Sequence, residues 1–151
     1  MVEGVADAVM PFVRRADGVL VIGPPGVGKT TFLRDVVRQL AADLGPKVVV
    51  VDTSNEIGGE GLVPHPVLGA ARRLQVPMPD YAAGETFPAM LARTYLEALA
   101  NHGPQVIVGN EVGFPEDVAV VEVLQHAARW ALGEPDALER ALRAWEEVAP
   151  A

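Results

Sequence analysis

The run Gly23-Pro24-Pro25-Gly26-Val27-Gly28-Lys29-Thr30-Thr31 constrains this chain more than any other stretch. It meets the phosphate-cradling pattern G-x-x-x-x-G-K-[ST] at Gly23, Gly28, Lys29 and Thr30. A loop of small residues turns successive backbone N–H groups inward, toward the closely spaced oxygens of a nucleoside triphosphate. Lys29 adds a point charge for the β- and γ-phosphates, and Thr30 offers a hydroxyl to Mg²⁺. The helix that begins beside them aims its positive end at the same anion. Such a loop needs a strand before it and a helix after it. Gly18-Val19-Leu20-Val21-Ile22 reads as a short buried strand. Phe32, Leu33, Val36, Val37 and Leu40 recur at helical spacing, opposite Arg34, Asp35, Arg38 and Gln39, and Gly45-Pro46 stops that helix. The dinucleotide fingerprint fits poorly, because Lys29-Thr30 stand where its third glycine belongs.

The 151 residues, half of them hydrophobic, suit a single domain spanning residues 1–151 with one core. No apolar run approaches the roughly 20 residues of a membrane span, and the N-terminus lacks a signal-peptide layout. The reading is therefore a cytoplasmic protein. Cysteine is absent, which removes disulfides and thiolate zinc sites. A formal net charge of −8 argues against strong independent binding to nucleic acid, whose affinity is driven by Lys and Arg. Arg14-Arg15 and Arg72-Arg73 are only pairs.

Along the chain, Val2, Val5, Ala6, Val9 and Phe12 suggest a leading core helix bent or ended at Pro11. Lys47 to Asp52, KVVVVD, is a second continuous β-branched strand that suits a parallel sheet covered on both faces. From Thr53 to Asp80 the chain is rich in Gly and Pro without a period, too long for an idle connection. A helix starts near Thr86 and Pro88, with Phe87, Met90, Leu91, Thr94, Tyr95, Ala98 and Leu99 on one face, and Asn101-His102-Gly103-Pro104 ends it. The third strand, Val106 to Asn110, leads directly into Glu111, an acid placed to polarise an attacking water. The preceding position, where additional-strand P-loop ATPases carry an aspartate that supports Mg²⁺, is Asn110. Its carbonyl oxygen can hold a magnesium-bound water but brings no charge, so weak metal binding and slow turnover are expected.

With these segments in hand, the chain resembles the stage III sporulation protein AA group of ATPases and their cyanobacterial and plastid relatives. GPPGVGKTTFLRD resembles the nucleotide loop of that family. VVVVDTSNEIGGEGLVPHPVLGAARRLQVP, from Val48 to Pro77, resembles its central signature, and PQVIVGNEVG, from Pro104 to Gly113, its acidic strand. The resemblance implies a RecA-like core, assembly into rings or other oligomers, and in many relatives an added domain for single-stranded nucleic acid. It places Asp52 and Glu56 on an acidic signature that assists Mg²⁺ or water. It makes Arg72 and Arg73 a pair suited to contact a γ-phosphate within one subunit or across an interface. His65, between two prolines, has a structural loop role.

Two departures stand out: Asn110, and the absence of a strong strand after it. In relatives a further strand runs between the nucleotide strand and the acidic strand. Here Val118, Val121, Leu124, Ala128, Ala131 and Leu132 form a helix. A final helix then starts at Asp136 and Glu139, with Leu138, Ala141, Leu142, Trp145 and Val148 on its apolar face. A parallel sheet cannot drop a central strand without leaving backbone groups unpaired. Either the first and third strands pair directly, or Val118–Val123 is a strand, or another chain supplies the element, or the chain is a diverged or truncated copy. The expectation is an α/β, three-layer RecA-like P-loop NTPase domain with a mostly parallel sheet that lacks one core strand. It binds Mg·ATP through Gly23–Thr31 and hydrolyses it slowly. Lys29 holds phosphate, Thr30, Asn110 and Asp52 arrange Mg²⁺, and Glu111 is the base. The alternatives are a nucleotide-binding switch or assembly subunit without turnover and, third, a small-molecule kinase.

Overall fold

The valine run Val48–Val51 organises the protein. In the computed structural model, which describes residues 3–111, 122, 133–136, 139, 140 and 143, all four valines and Asp52 are fully buried. Each buried valine side chain contributes roughly 1.5 kcal/mol or more. A strand apolar on both faces must be covered on both, and this one lies in the middle of its sheet.

The elements are α1 (Met10–Val13), α2 (Lys29–Leu44), β1 (Val48–Asp52), β2 (Arg72–Gln75), α3 (Phe87–His102) and β3 (Val106–Gly109), with single 3₁₀ turns at Gly45–Lys47, Pro66–Leu68 and Tyr81–Ala83. The sheet order is β2-β1-β3. β1 and β3 run parallel in the register Val48 to Val106, Val49 to Ile107, Val50 to Val108 and Val51 to Gly109. The α/β P-loop class expected from the sequence therefore holds, and so do the second and third strands to within a residue.

The chain forms two compact units. One comprises residues 3–74 with 104–110, the other 75–103 with what is described beyond 110. In the first, α2 lays Val36, Val37 and Leu40 against Val48 and Val50 of β1, joined by Ala6, Met10, Ile57, Val67, Leu68 and Val108. The leading segment is tied to α2 by Asp35, which is fully buried and accepts from the backbone N–H of Ala6 at 2.9 Å. Arg38 and Gln39 also donate to Asp35. Burial pushes the Asp35 carboxyl up, but the donors from Ala6, Arg38, Gly4 and Gln39 outweigh it and hold it below its ordinary value. In the second unit, α3 is capped by Thr86, whose hydroxyl accepts from Ala89 N–H, and it ends at Gly103 in the left-handed region. Met90, Leu91, Ala92, Tyr95 and Ala98 are its buried residues, with Thr94.

Four local expectations need correction. Pro11 does not end the leading helix; it stands in the first turn of α1, where its missing N–H costs nothing. The segment Arg72–Gln75, read as part of a long loop, is strand β2, hidden from a hydrophobicity reading because its residues are RRLQ and its burial is partial. Residues 18–22 are not a buried strand: they carry no regular structure, and Leu20 and Ile22 are 69% and 85% exposed. The described sheet has the order β2-β1-β3, and residues 18–22 join neither of its edges. Direct pairing of this first run with the third strand is thus not observed. Val118, Val121 and Val123 of the expected helix or strand, and the apolar face of the final helix, lie outside the described residues. No helix among the described residues is long and apolar enough to cross a membrane.

Candidate phosphate and metal site

The site begins with backbone geometry at the loop. Gly26 and Gly28 have φ of +77° and +100°, a region that side chains with a Cβ rarely adopt. A Cβ at either glycine would meet nothing within 4 Å, so conformation rather than crowding demands glycine there. Gly28 is the N-cap of α2 and leaves the helix's first N–H groups without a side-chain cap, and no acidic residue occupies the first turn. The positive end of a 16-residue helix is thus available to an anion. Lys29 folds back over the loop and donates to the carbonyls of Gly23 and Pro24 at 2.7 and 2.8 Å. An ammonium held at the rim of an open amide cradle suits bound phosphate.

Thr30, on the first turn of α2, donates its hydroxyl to Glu56 Oε2 at 3.1 Å. Glu56 lies in the segment that leaves β1, and this segment is gripped at several points. Asp52 Oδ1 and Oδ2 accept from the N–H groups of Ile57 and Gly58 at 3.2 and 2.7 Å. Arg34, one turn after Thr30, donates through Nε to the carbonyl of Ile57 at 3.1 Å and through Nη2 to the carbonyl of Glu56. Asn55 supplies the tight bend with φ of +58°. Arg73, on β2, donates to the carbonyls of Gly58, Gly59 and Gly61. Gly58 admits this clamp, because a Cβ there would collide with Cδ of Arg73 and sit 3.1 Å from Asp52 Oδ2.

Asn110, at the end of β3, ties the start of the same segment. Its Oδ1 accepts from the N–H of Thr53 at 3.0 Å and from the Thr53 hydroxyl, while Nδ2 donates to Ser54 Oγ at 2.8 Å. His65 Nδ1 accepts from Val67 N–H at 3.1 Å and caps a 3₁₀ turn, a structural loop role.

Of the residues proposed from sequence, the structure brings Thr30 and Glu56 together, while Lys29 bonds the carbonyls of Gly23 and Pro24. Asp52 and Asn110 direct their oxygens at backbone and hydroxyl donors of the following segment. Arg73 reaches backbone carbonyls, Arg72 is exposed on β2, and Glu111 is exposed and belongs to the second unit. Among the described residues no group of three or more His, Asp or Glu side chains converges on a metal position. Sequence reasoning placed Arg34 on a solvated helix face. The available signal was its spacing: residues four apart on a helix lie on the same side, so Arg34 follows Thr30.

Comparison with known proteins places the chain among P-loop ATPases. Residues 19–111 match the model of the ATPase family associated with various cellular activities (AAA). Protein SEEDLING PLASTID DEVELOPMENT 1 of Arabidopsis thaliana is 42% identical over 113 residues, 75% of this chain and 15% of that protein. The uncharacterized protein ycf45 of Porphyra purpurea is 40% identical over 112 residues, 74% of this chain and 18% of that protein. Stage III sporulation protein AA of Bacillus subtilis is 28% identical over 164 residues, 97% of this chain and 49% of that protein. The chain thus spans less than half the length of each of these relatives. The resemblance drawn from the three sequence segments is borne out. No solved structure matches the chain.

Proposed function

Given that the chain belongs to the ATPase family associated with various cellular activities, we propose that it binds Mg·ATP at Gly23–Thr31 and hydrolyses it. The observation that carries this reading is the hydrogen bond between Thr30 and Glu56. A P-loop hydroxyl takes one position on Mg²⁺, and a carboxylate beside it supplies negative charge to the cation or to its bound water. Asn110 brings no charge, and the Glu56 carboxylate beside Thr30 would supply it. Hydroxyl, carboxylate and phosphate oxygens are the hard donors that Mg²⁺ prefers. When bound, the ion neutralises charge that develops on the phosphoryl oxygens.

The chain's own groups then divide the work. The loop amides and Lys29 hold and orient the phosphates. Thr30 and Glu56 are the groups that would hold the metal. Cytoplasmic placement and assembly into an oligomer belong to the same proposal, the latter resting on the family resemblance.

Calorimetric titration with a non-hydrolysable ATP analogue, with and without Mg²⁺, tests binding. Phosphate release tests turnover, and Lys29→Ala is the control. Saturable Mg²⁺-dependent binding that is lost in the variant supports the reading; a folded wild-type protein that binds no nucleotide overturns it. A second reading, a nucleotide-binding switch without turnover, is favoured by the neutral Asn110 already engaged with Thr53 and Ser54. Binding without phosphate release decides for the switch.

A further inference from the structure

We propose that Arg34 is a positioning residue for the metal site, holding Glu56 in register with Thr30; the inference rests on the Mg·ATP reading above. Thr30 and Arg34 stand one turn apart on α2 and grip the two ends of one residue. Thr30 takes the Glu56 carboxylate at 3.1 Å, and Arg34 takes the Glu56 carbonyl. The second arm of the guanidinium reaches the carbonyl of Ile57 at 3.1 Å. A planar fork satisfied by two successive carbonyls fixes the peptide between them in direction as well as position, which a single ammonium cannot do.

The same peptide run is held from its other side. Asp52 accepts from the N–H groups of Ile57 and Gly58, so a cation binds the carbonyls of residues 56 and 57 while an anion binds the amides of 57 and 58. Asp52 is wholly buried, and this end of the segment is anchored to β1. The exposed end is Glu56 itself, whose carboxylate is held by Thr30 alone among the hydrogen bonds described. An exposed glutamate samples many rotamers, and anchoring its backbone removes much of that freedom before the metal arrives. The guanidinium of Arg34 spends its hydrogen bonds on the carbonyls of Glu56 and Ile57. Its influence passes through the Glu56 backbone.

The test uses the full chain with Arg34→Ala and Arg34→Lys. Three quantities are read: affinity for the ATP analogue without Mg²⁺, the Mg²⁺ concentration that half-saturates Mg²⁺-dependent binding, and hydrogen exchange of the Ile57 and Gly58 amides. For Arg34→Ala, affinity without Mg²⁺ stays within about threefold, because the phosphate cradle is intact. The half-saturating Mg²⁺ rises about tenfold, and the two amides exchange at least tenfold faster. Arg34→Lys recovers part of the Mg²⁺ effect. A folded Arg34→Ala with unchanged Mg²⁺ dependence overturns the proposal. So does a parallel loss of affinity with and without Mg²⁺, which marks a purely structural role; should Arg34→Ala not fold, unchanged Mg²⁺ dependence in Arg34→Lys overturns it as well. Wild-type protein that binds no analogue sinks the Mg·ATP reading itself, and this result is distinct because it appears before any variant is made.

Discussion

Thr30 and Glu56, 26 residues apart in the chain, meet through a hydrogen bond from Thr30 Oγ1 to Glu56 Oε2 at 3.1 Å. The bond joins the first turn of α2 to the segment leaving β1, and it sets a carboxylate beside the hydroxyl that the P-loop offers to Mg²⁺. Glu56→Gln keeps the shape and an acceptor oxygen but removes the charge. We expect nucleotide affinity without Mg²⁺ to change by less than about threefold, while Mg²⁺-dependent binding weakens about tenfold, a difference of roughly 1.4 kcal/mol. Calorimetric titration of wild type and variant checks both numbers. Equal Mg²⁺ dependence in the two proteins counts against a metal role for Glu56.

Gly58 is required by the approach of Arg73 and Asp52 rather than by an unusual backbone angle. A Cβ would collide with Arg73 Cδ, and the guanidinium is already committed to the carbonyls of Gly58, Gly59 and Gly61. Gly58→Ala is therefore expected to lose about 1–3 kcal/mol of stability, as overpacking commonly does. Urea denaturation measures the loss. A double variant with Arg73→Ala should lose less than the sum of the two single losses, because one side of the collision is gone.

Asn110 ties Thr53 and Ser54, so truncating its amide and replacing it with a carboxylate separate structure from chemistry. Asn110→Ala leaves the Thr53 N–H without its acceptor and is expected to cost about 1–3 kcal/mol. In Asn110→Asp the carboxylate still accepts from Thr53, and the Ser54 hydroxyl can turn to donate to it, so the fold should be retained. If the site hydrolyses ATP, the added charge speeds phosphate release. A folded Asn110→Asp that binds Mg·ATP yet releases no phosphate favours the switch.

Asp35 makes stability depend on acid. Its carboxyl lies below the ordinary value of 3.8 in the folded protein because donors from Ala6, Arg38, Gly4 and Gln39 overcome burial, which acts in the opposite direction. A depressed folded value means that the unfolded chain binds the proton more readily. The stabilisation is fully present at pH values above 3.8, and it is lost as the pH falls through the folded value. Urea midpoints at pH 7, 5 and 3 should fall at the acid end, more steeply in wild type than in Asp35→Asn. The variant should already be less stable at pH 7, by about 1–3 kcal/mol, since a neutral amide accepts fewer of these bonds.

The sequence by itself determined the phosphate loop, β1, β3, α2 and α3, because each is written in contiguous residues. A glycine-lysine-threonine pattern, an unbroken valine run and a helical repeat depend on neighbours within a few positions. Tertiary structure decided where the polar side chains spend their hydrogen bonds. Arg34 reads as a cation on a polar helix face and Arg73 as a candidate γ-phosphate contact, yet their partners are backbone carbonyls 12 to 23 residues away, and no local pattern records such a target. Arg72–Gln75 became a strand because β1 had an edge to pair with it, although RRLQ carries no apolar signal. Residues 18–22 carry that signal and form no strand, since a ladder needs a partner as well as a suitable composition. Local propensity is a property of the chain, whereas a hydrogen bond across the fold belongs to two segments at once and exists only after both have been brought together.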